Sequence, residues 1–340
     1  MTKKEFDYIY SMWNKRLVEL KWIHSPNYLR IQNIDFIKIL KEVGKKPILV
    51  LDNNIFSRLI DIVSKGNTTE GNIQDIAILM MYSIVNDVGI MPYYALNELA
   101  ETTCEVNAQT KFNIFDKIFT DIKPIEWMKL AFGFEKENKV LIKLEGNILK
   151  KENIFCDKSI DYLSNYAAIL HLATILLTEK DSIERFKKYF EWFYNTLKVS
   201  RYTVVYICGL LSGKSDYKEP KKIHGKNLEK AINGCQNQAR DLVYLTQLSI
   251  DRLPNQYEAI LVTDDWMLGD IFSNGCFNTE PLKGFEKNIK KSSKKISKWV
   301  DELLANHQEI IVYDYESYCK EIVEKELRLF KDTFIKKNNL

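Results

Sequence analysis

Apolar and polar positions divide the chain into short unbroken apolar runs and longer stretches of helical period. Residues 3–43 read as two helices broken by the His-Ser-Pro-Asn-Tyr segment at 24–28, with Trp13, Leu17 and Leu20 at helical spacing in the first. Pro47 then introduces Ile48, Leu49, Val50 and Leu51, a run of the kind a parallel sheet buries on both faces, and it stops at Asp52. A helix opens at Asn53-Asn54 and another covers 73–87. Residues 88–91 predict a second short strand, followed by Pro92 and a helix through Ala95, Leu96, Leu99 and Ala100. Farther on, a helix at 236–250 precedes Ala259, Ile260, Leu261 and Val262, a second buried-type strand that ends in Thr263, Asp264 and Asp265. A last strand is expected at 309–313, before a C-terminal amphipathic helix with Ile322, Leu329 and Phe330.

The expected fold class is therefore α/β, with a small, mostly parallel sheet sandwiched by helices, a large helical insertion and extra terminal helices. The corresponding boundaries are an N-terminal helical extension over 1–45, a split core over 46–103 and 231–319, the insertion at 104–230, a lysine-rich helix at 284–305, and a C-terminal helix at 316–340. The insertion is rich in lysine and aromatic residues and carries no repeat.

Composition narrows the class. With 340 residues, 46% of them hydrophobic, and only 13 Gly and 7 Pro, the chain can close one large core or two smaller ones. Its 49 Lys and Arg stand against 46 Asp and Glu, a net charge of +3 that excludes a polybasic tail protein or an acidic disordered chain. The six cysteines are scattered with no Cys-x-x-Cys pair, against a disulfide framework or zinc ribbon and in keeping with a reducing, cytoplasmic setting. The charged N-terminus does not read as a secretory signal. The apolar stretches at 76–85 and 167–177 fall short of the roughly 18–20 residues of a bilayer span, so a soluble protein with no membrane partner is expected.

In an open α/β sheet, ligands bind beyond the carboxyl ends of the strands, which is where Asp52 and Asp265 fall. Each has an ordinary alternative, since Asp after a strand is a favoured helix N-cap. Four segments together resemble the PIN-domain nucleases: Leu-Val-Leu-Asp-Asn-Asn at 49–54, Pro-Tyr-Tyr-Ala-Leu-Asn-Glu-Leu-Ala-Glu at 92–101, Ala-Arg-Asp-Leu-Val-Tyr-Leu-Thr-Gln at 239–247, and Leu-Val-Thr-Asp-Asp at 261–265. The resemblance implies four catalytic, metal-holding acids, Asp52, Glu98, Asp241 and Asp265, supported by Asn54 and Thr263. Asp264 competes with Asp265, and Glu101 with Glu98 one helical turn away. Asp241 also reads as a first-turn acid complementing a helix dipole. By the same resemblance the cofactor is Mg2+ or Mn2+, hard cations that take oxygen ligands. The reaction would be endonucleolytic hydrolysis of single-stranded nucleic acid, RNA before DNA. A cognate inhibitor or antitoxin and a homo-oligomer are further partners it leaves room for. The rival is a non-enzymatic nucleic-acid-binding or interaction module on a retired nuclease fold.

Other signals are weaker. Thr-Val-Val-Tyr-Ile-Cys at 203–208 reads as a strand leading into Gly-Leu-Leu-Ser-Gly-Lys-Ser, one residue short of a phosphate-cradling loop and without the helix such a loop must open. His24, His171, His224 and His307 lack paired-ligand spacing, and His171, on an apolar helix, reads as a satisfied core residue. The segment 283–298 holds seven lysines and one glutamate, which leaves the rest of the chain net acidic. On a helix, Lys287, Lys290, Lys291, Lys294, Lys295 and Lys298 fall on one side, opposite Phe285, Ile289, Ile296, Val300 and Leu303. That stripe is either a solvated face or a track for a phosphate backbone.

Overall fold

Three of the five runs read as strands become strands in the computed structural model, which describes residues 2–25, 36–144, 160–248, 256–275, 282, 293–308 and 310–338. The architecture is mixed α/β, with 14 helices and a four-stranded, mostly parallel sheet among the described residues. In chain order the elements begin α1 (Lys3–Leu20), β1 (Ile23–His24), α2 (Phe36–Glu42), β2 (Lys46–Leu51), α3 (Asn53–Lys65), α4 (Ile73–Asn86), β3 (Gly89–Met91), α5 (Tyr93–Thr102), α6 (Glu105–Asp121) and α7 (Pro124–Ala131). They continue with α8 (Ile160–Thr178), α9 (Ser182–Thr196), α10 (Arg201–Leu211), α11 (Leu228–Gln247), β4 (Tyr257–Val262), α12 (Trp266–Gly275), α13 (Ser293–Asn306) and α14 (Tyr315–Asn338).

Contacts divide the chain into two units, Met1–Asp157 with Ile250–Ser273, and Lys158–Ser249 with Asn274–Leu340. The first holds the whole sheet, in the order β1-β4-β2-β3. Strand β2 runs parallel to both neighbours, in register Leu49↔Ile90 with β3 and Leu51↔Val262 with β4. The two-residue β1 is antiparallel to β4 and was not foreseen, because a strand so short has no periodicity to read. Trp13 and Leu17 of α1 enter the same core as Leu49, Phe56 and Met80, and so do Phe115, Ile118, Trp127 and Leu130 of α6 and α7. The terminal helix and two helices beyond residue 104 thus complete the layer over the sheet. A two-bonded ion pair from Arg16 to Asp75, at 2.7 and 2.9 Å, ties α1 to α4.

The second unit is helical. Its centre is α8, packed against α9, α11 and α14. This helix is long and apolar enough by length and composition to cross a membrane, which the shorter span read from its apolar residues did not anticipate. Its apolar surface is nonetheless mostly covered by the helices around it. Half-buried His171 on α8 has a polar partner: its Nδ1 lies 2.8 Å from Oε2 of buried Glu326 on α14, and its ring stacks on Trp192 at 3.9 Å.

Two strand expectations fail. Residues 203–208 lie inside α10, where Ser200 caps the helix and Thr203, Val204, Tyr206 and Ile207 are fully buried. A short apolar run buried all round looks the same in a strand and in a core helix. The following Gly-Leu-Leu-Ser-Gly-Lys-Ser therefore leaves a helix C-terminus instead of opening one. Gly209 serves packing, since a Cβ there would stand 2.2 Å from the ring of Tyr217. Residues 310–313 form no strand, and Ile311 and Tyr313 are exposed, at 92% and 108%. Of the lysine stripe, Lys287, Lys290 and Lys291 lie outside the described residues. Lys294, Lys295 and Lys298 fall on α13, where exposed Lys298 pairs with Glu302 at 3.4 Å while Ile296 and Val300 are buried.

Candidate carboxylate site

Because β2 and β4 run parallel and in register, their carboxyl ends finish side by side, and each is followed at once by a helix that needs an N-cap. The backbone ladder continues one step past each strand, with Asp52 N–H donating to the Val262 carbonyl at 2.9 Å and Thr263 N–H to the Trp22 carbonyl at 2.9 Å. Asp52, Thr263, Asp264 and Asp265 are thereby collected at one edge of the sheet.

The side chains form a chain of hydrogen bonds. Asp52, 7% exposed, accepts from Asn53 N–H at 2.7 Å with Oδ1 and from the Thr263 hydroxyl at 2.8 Å with Oδ2. Thr263 Oγ1 accepts in turn from Asp265 N–H at 3.0 Å, and Asp265 Oδ1 accepts from Leu268 N–H at 3.1 Å, capping α12. The capping alternative is thus realised for both acids. Capping uses one oxygen's lone pair and leaves others open, so the two readings are compatible. Asp264 turns the other way, its Oδ2 accepting from Arg58 Nη2 and its Oδ1 from Asn54 Nδ2 at 3.4 Å.

Burial pushes the Asp52 carboxyl up to about 6, and the charges of Asp264 and Asp265 push in the same direction against the bonds from Thr263 and Asn53. The partners of Asp52 are neutral, Arg58 being paired with Asp264, and the three carboxylates offer the hard oxygen donors that a divalent cation takes. By donor chemistry these residues fit Mg2+ or Mn2+. Among the described residues, however, no three His, Cys, Asp or Glu side chains are grouped as a ready metal shell. The orientations explain this: Asp264 faces Arg58, and Asp265 spends an oxygen on α12.

Glu98 lies half-buried on α5, which packs on β2 and α3 in the same unit. Glu101 follows on the same helix. Asp241 is half-buried on α11, a helix of the second unit. Asp52, Asn54, Thr263, Asp264 and Asp265 are therefore brought together, while Glu98 and Asp241 are described on their own helices. Arg58 was missed by sequence reasoning. The signal that could have found it is its spacing: four residues after Asn54, it shares that residue's helical face, on a helix otherwise buried through Ile55, Phe56, Leu59 and Ile60. His24, on the edge strand β1, is pushed down to about 4 by burial and so stays neutral near pH 7.

No known family, curated protein or solved structure matches the chain. The functional reading therefore rests on the residues themselves.

Proposed function

We propose that this protein is a PIN-like, metal-dependent endonuclease that hydrolyses phosphodiester bonds of single-stranded nucleic acid, RNA before DNA. The observation that carries the reading is the meeting of Asp52, Asp264 and Asp265 at the adjoining carboxyl ends of two parallel strands, with the Thr263 hydroxyl donating to Asp52. When bound, Mg2+ or Mn2+ would supply the Lewis acidity and positive charge that lower the pKa of water and offset the phosphate. Asp52 and Asp265 would hold the ion, with Asp264 as a further oxygen ligand and Glu98 and Asp241 joining as the resemblance implies. Thr263 fixes the rotamer of Asp52, and Asn54 offers an amide donor at the same strand end. The four described cysteines, Cys104, Cys208, Cys235 and Cys319, are free thiols, in keeping with a cytoplasmic setting.

The rival, a non-enzymatic nucleic-acid-binding module, is favoured by one observation: Arg58 already pairs with Asp264. Incubating the full chain with labelled single-stranded RNA and DNA separates the two. The expected result is cleavage in Mn2+ or Mg2+ that stops in EDTA and in Asp241→Asn, with 5′-phosphate products. Cleavage that persists in EDTA would remove the metal mechanism, and binding without cleavage would favour the rival.

For the lysine stripe, replacing Lys290, Lys291 and Lys294 together is expected to lower the slope of log affinity against log salt by about 2, at roughly 0.7 per single-strand phosphate contact. An unchanged slope would assign those lysines to solvent.

A further inference from the structure

The carboxylate cluster already has a cation of its own. Arg58 projects from α3 one turn beyond Asn54, and the two side chains take both oxygens of Asp264, so that carboxylate is turned toward the helix. The Arg58 side chain is only 13% exposed. Its central carbon lies 5.8 Å from the centre of the Trp22 ring. Gly71 lies close on another side, where a Cβ would stand in ordinary contact, 3.5 Å from each of three guanidinium atoms. The Trp22 carbonyl accepts from Thr263 N–H, so the platform beneath the guanidinium and the acids above it share one strand end.

Arg58 Nε is buried and has no hydrogen-bond partner among the described residues. The guanidinium is thus held by packing and by its ion pair, without the full set of acceptors that a purely structural arginine usually collects. Its partner is freer: the Asp264 side chain is 27% exposed and has water on one side to turn into.

Resting on the metal-dependent reading above, we propose that Arg58 is a resident counter-cation that competes with the divalent metal for Asp264. In the metal-free chain the guanidinium supplies the positive charge for that carboxylate. Metal entry must draw Asp264 off Arg58, so the ion pair sets the metal concentration at which the site fills. Arg58 is in this sense a positioning residue, acting through Asp264 and not on the substrate.

The test is Mn2+ titration of the full chain by calorimetry. Arg58→Met keeps most of the unbranched stem of the side chain and removes its charge, and is expected to bind Mn2+ about tenfold tighter than wild type. Asp264→Asn is expected to bind Mn2+ more weakly, and in that background Arg58→Met should no longer tighten binding. A general loosening of the fold would not produce tighter binding that depends on Asp264. Equal Mn2+ affinity in wild type and Arg58→Met overturns the inference and leaves the nuclease reading standing. Failure of wild type and both variants to bind Mn2+ overturns both. If Arg58→Met does not fold by circular dichroism, Asp264→Asn alone decides, and wild-type affinity in it overturns the inference.

Discussion

Asp52→Asn is expected to gain stability over wild type as the pH rises, while losing metal-dependent cleavage by at least about 100-fold. The cause is burial. The folded chain holds the Asp52 proton up to about 6, whereas a carboxyl in the unfolded chain releases it near 3.8. Between those values the native state binds more protons than the unfolded state, so wild type loses stability as pH rises through the window and does not recover it above. At about 1.4 kcal/mol per unit, the accumulated loss by pH 7 is about 3 kcal/mol. Asparagine does not titrate, so it avoids this loss. Its amide oxygen can still accept from Thr263, and the extra strength of that bond to an ionised Asp52 is already contained in the value of about 6. The clean quantity is therefore the change with pH: urea unfolding in EDTA should show the variant gaining about 2 kcal/mol on wild type between pH 4 and pH 7. A difference independent of pH would show that Asp52 titrates normally. Adding Mn2+ at pH 7 should reverse the order, because an ion that binds only native wild type stabilises it by mass action.

Gly234→Ala is expected to destabilise the second unit by about 3 kcal/mol, against the usual preference of helices for alanine. Gly234 lies within α11, where the backbone of Lys221 crosses so closely that a Cβ would stand 2.0 Å from its carbonyl oxygen and 2.9 Å from its carbonyl carbon. Those neighbours are main-chain atoms that cannot rotate aside, so either α11 or the segment at 221 must move. Alanine at exposed Asn233 is the control in the same helix, expected within about 0.5 kcal/mol of wild type. Thermal unfolding followed by far-ultraviolet circular dichroism measures both. A Gly234→Ala midpoint equal to that of Asn233→Ala would mean that the crossing is not close.

The parallel strands were legible because each is a short apolar run flanked by proline, glycine or aspartate, the pattern that a doubly buried strand imposes. Ile48 to Leu51 and Ala259 to Val262 both carried it, and the acids behind them followed from the same reading. The run at 203–208 misled for the same physical reason, since burial on every side erases the difference between periods of 2 and 3.6. At 310–313 Ile311 and Tyr313 are exposed and no residue is buried, and burial is what the pattern normally reports. At the site, Asp52 and Asp265 were legible from their places after strands, and Thr263 from the Thr-x-Asp resemblance. Arg58 was not, because its partner Asp264 lies 206 residues away and only the pairing of β2 with β4 brings them together.

That pairing also bears on how the protein is made. Strand β4 sits between β1 and β2 in the sheet, yet the chain reaches it only after the whole 158–249 segment of the other unit. A ribosome adding roughly 5–20 residues per second needs on the order of ten seconds or more to pass from β2 to β4. Throughout that interval β2 lacks its longest partner, and Asp52 lacks Thr263, Asp264 and Asp265. A nascent or prematurely terminated chain that stops short of residue 257 therefore cannot assemble the acidic strand end. Chain order alone delays the site until the 158–249 part of the helical unit has been synthesised.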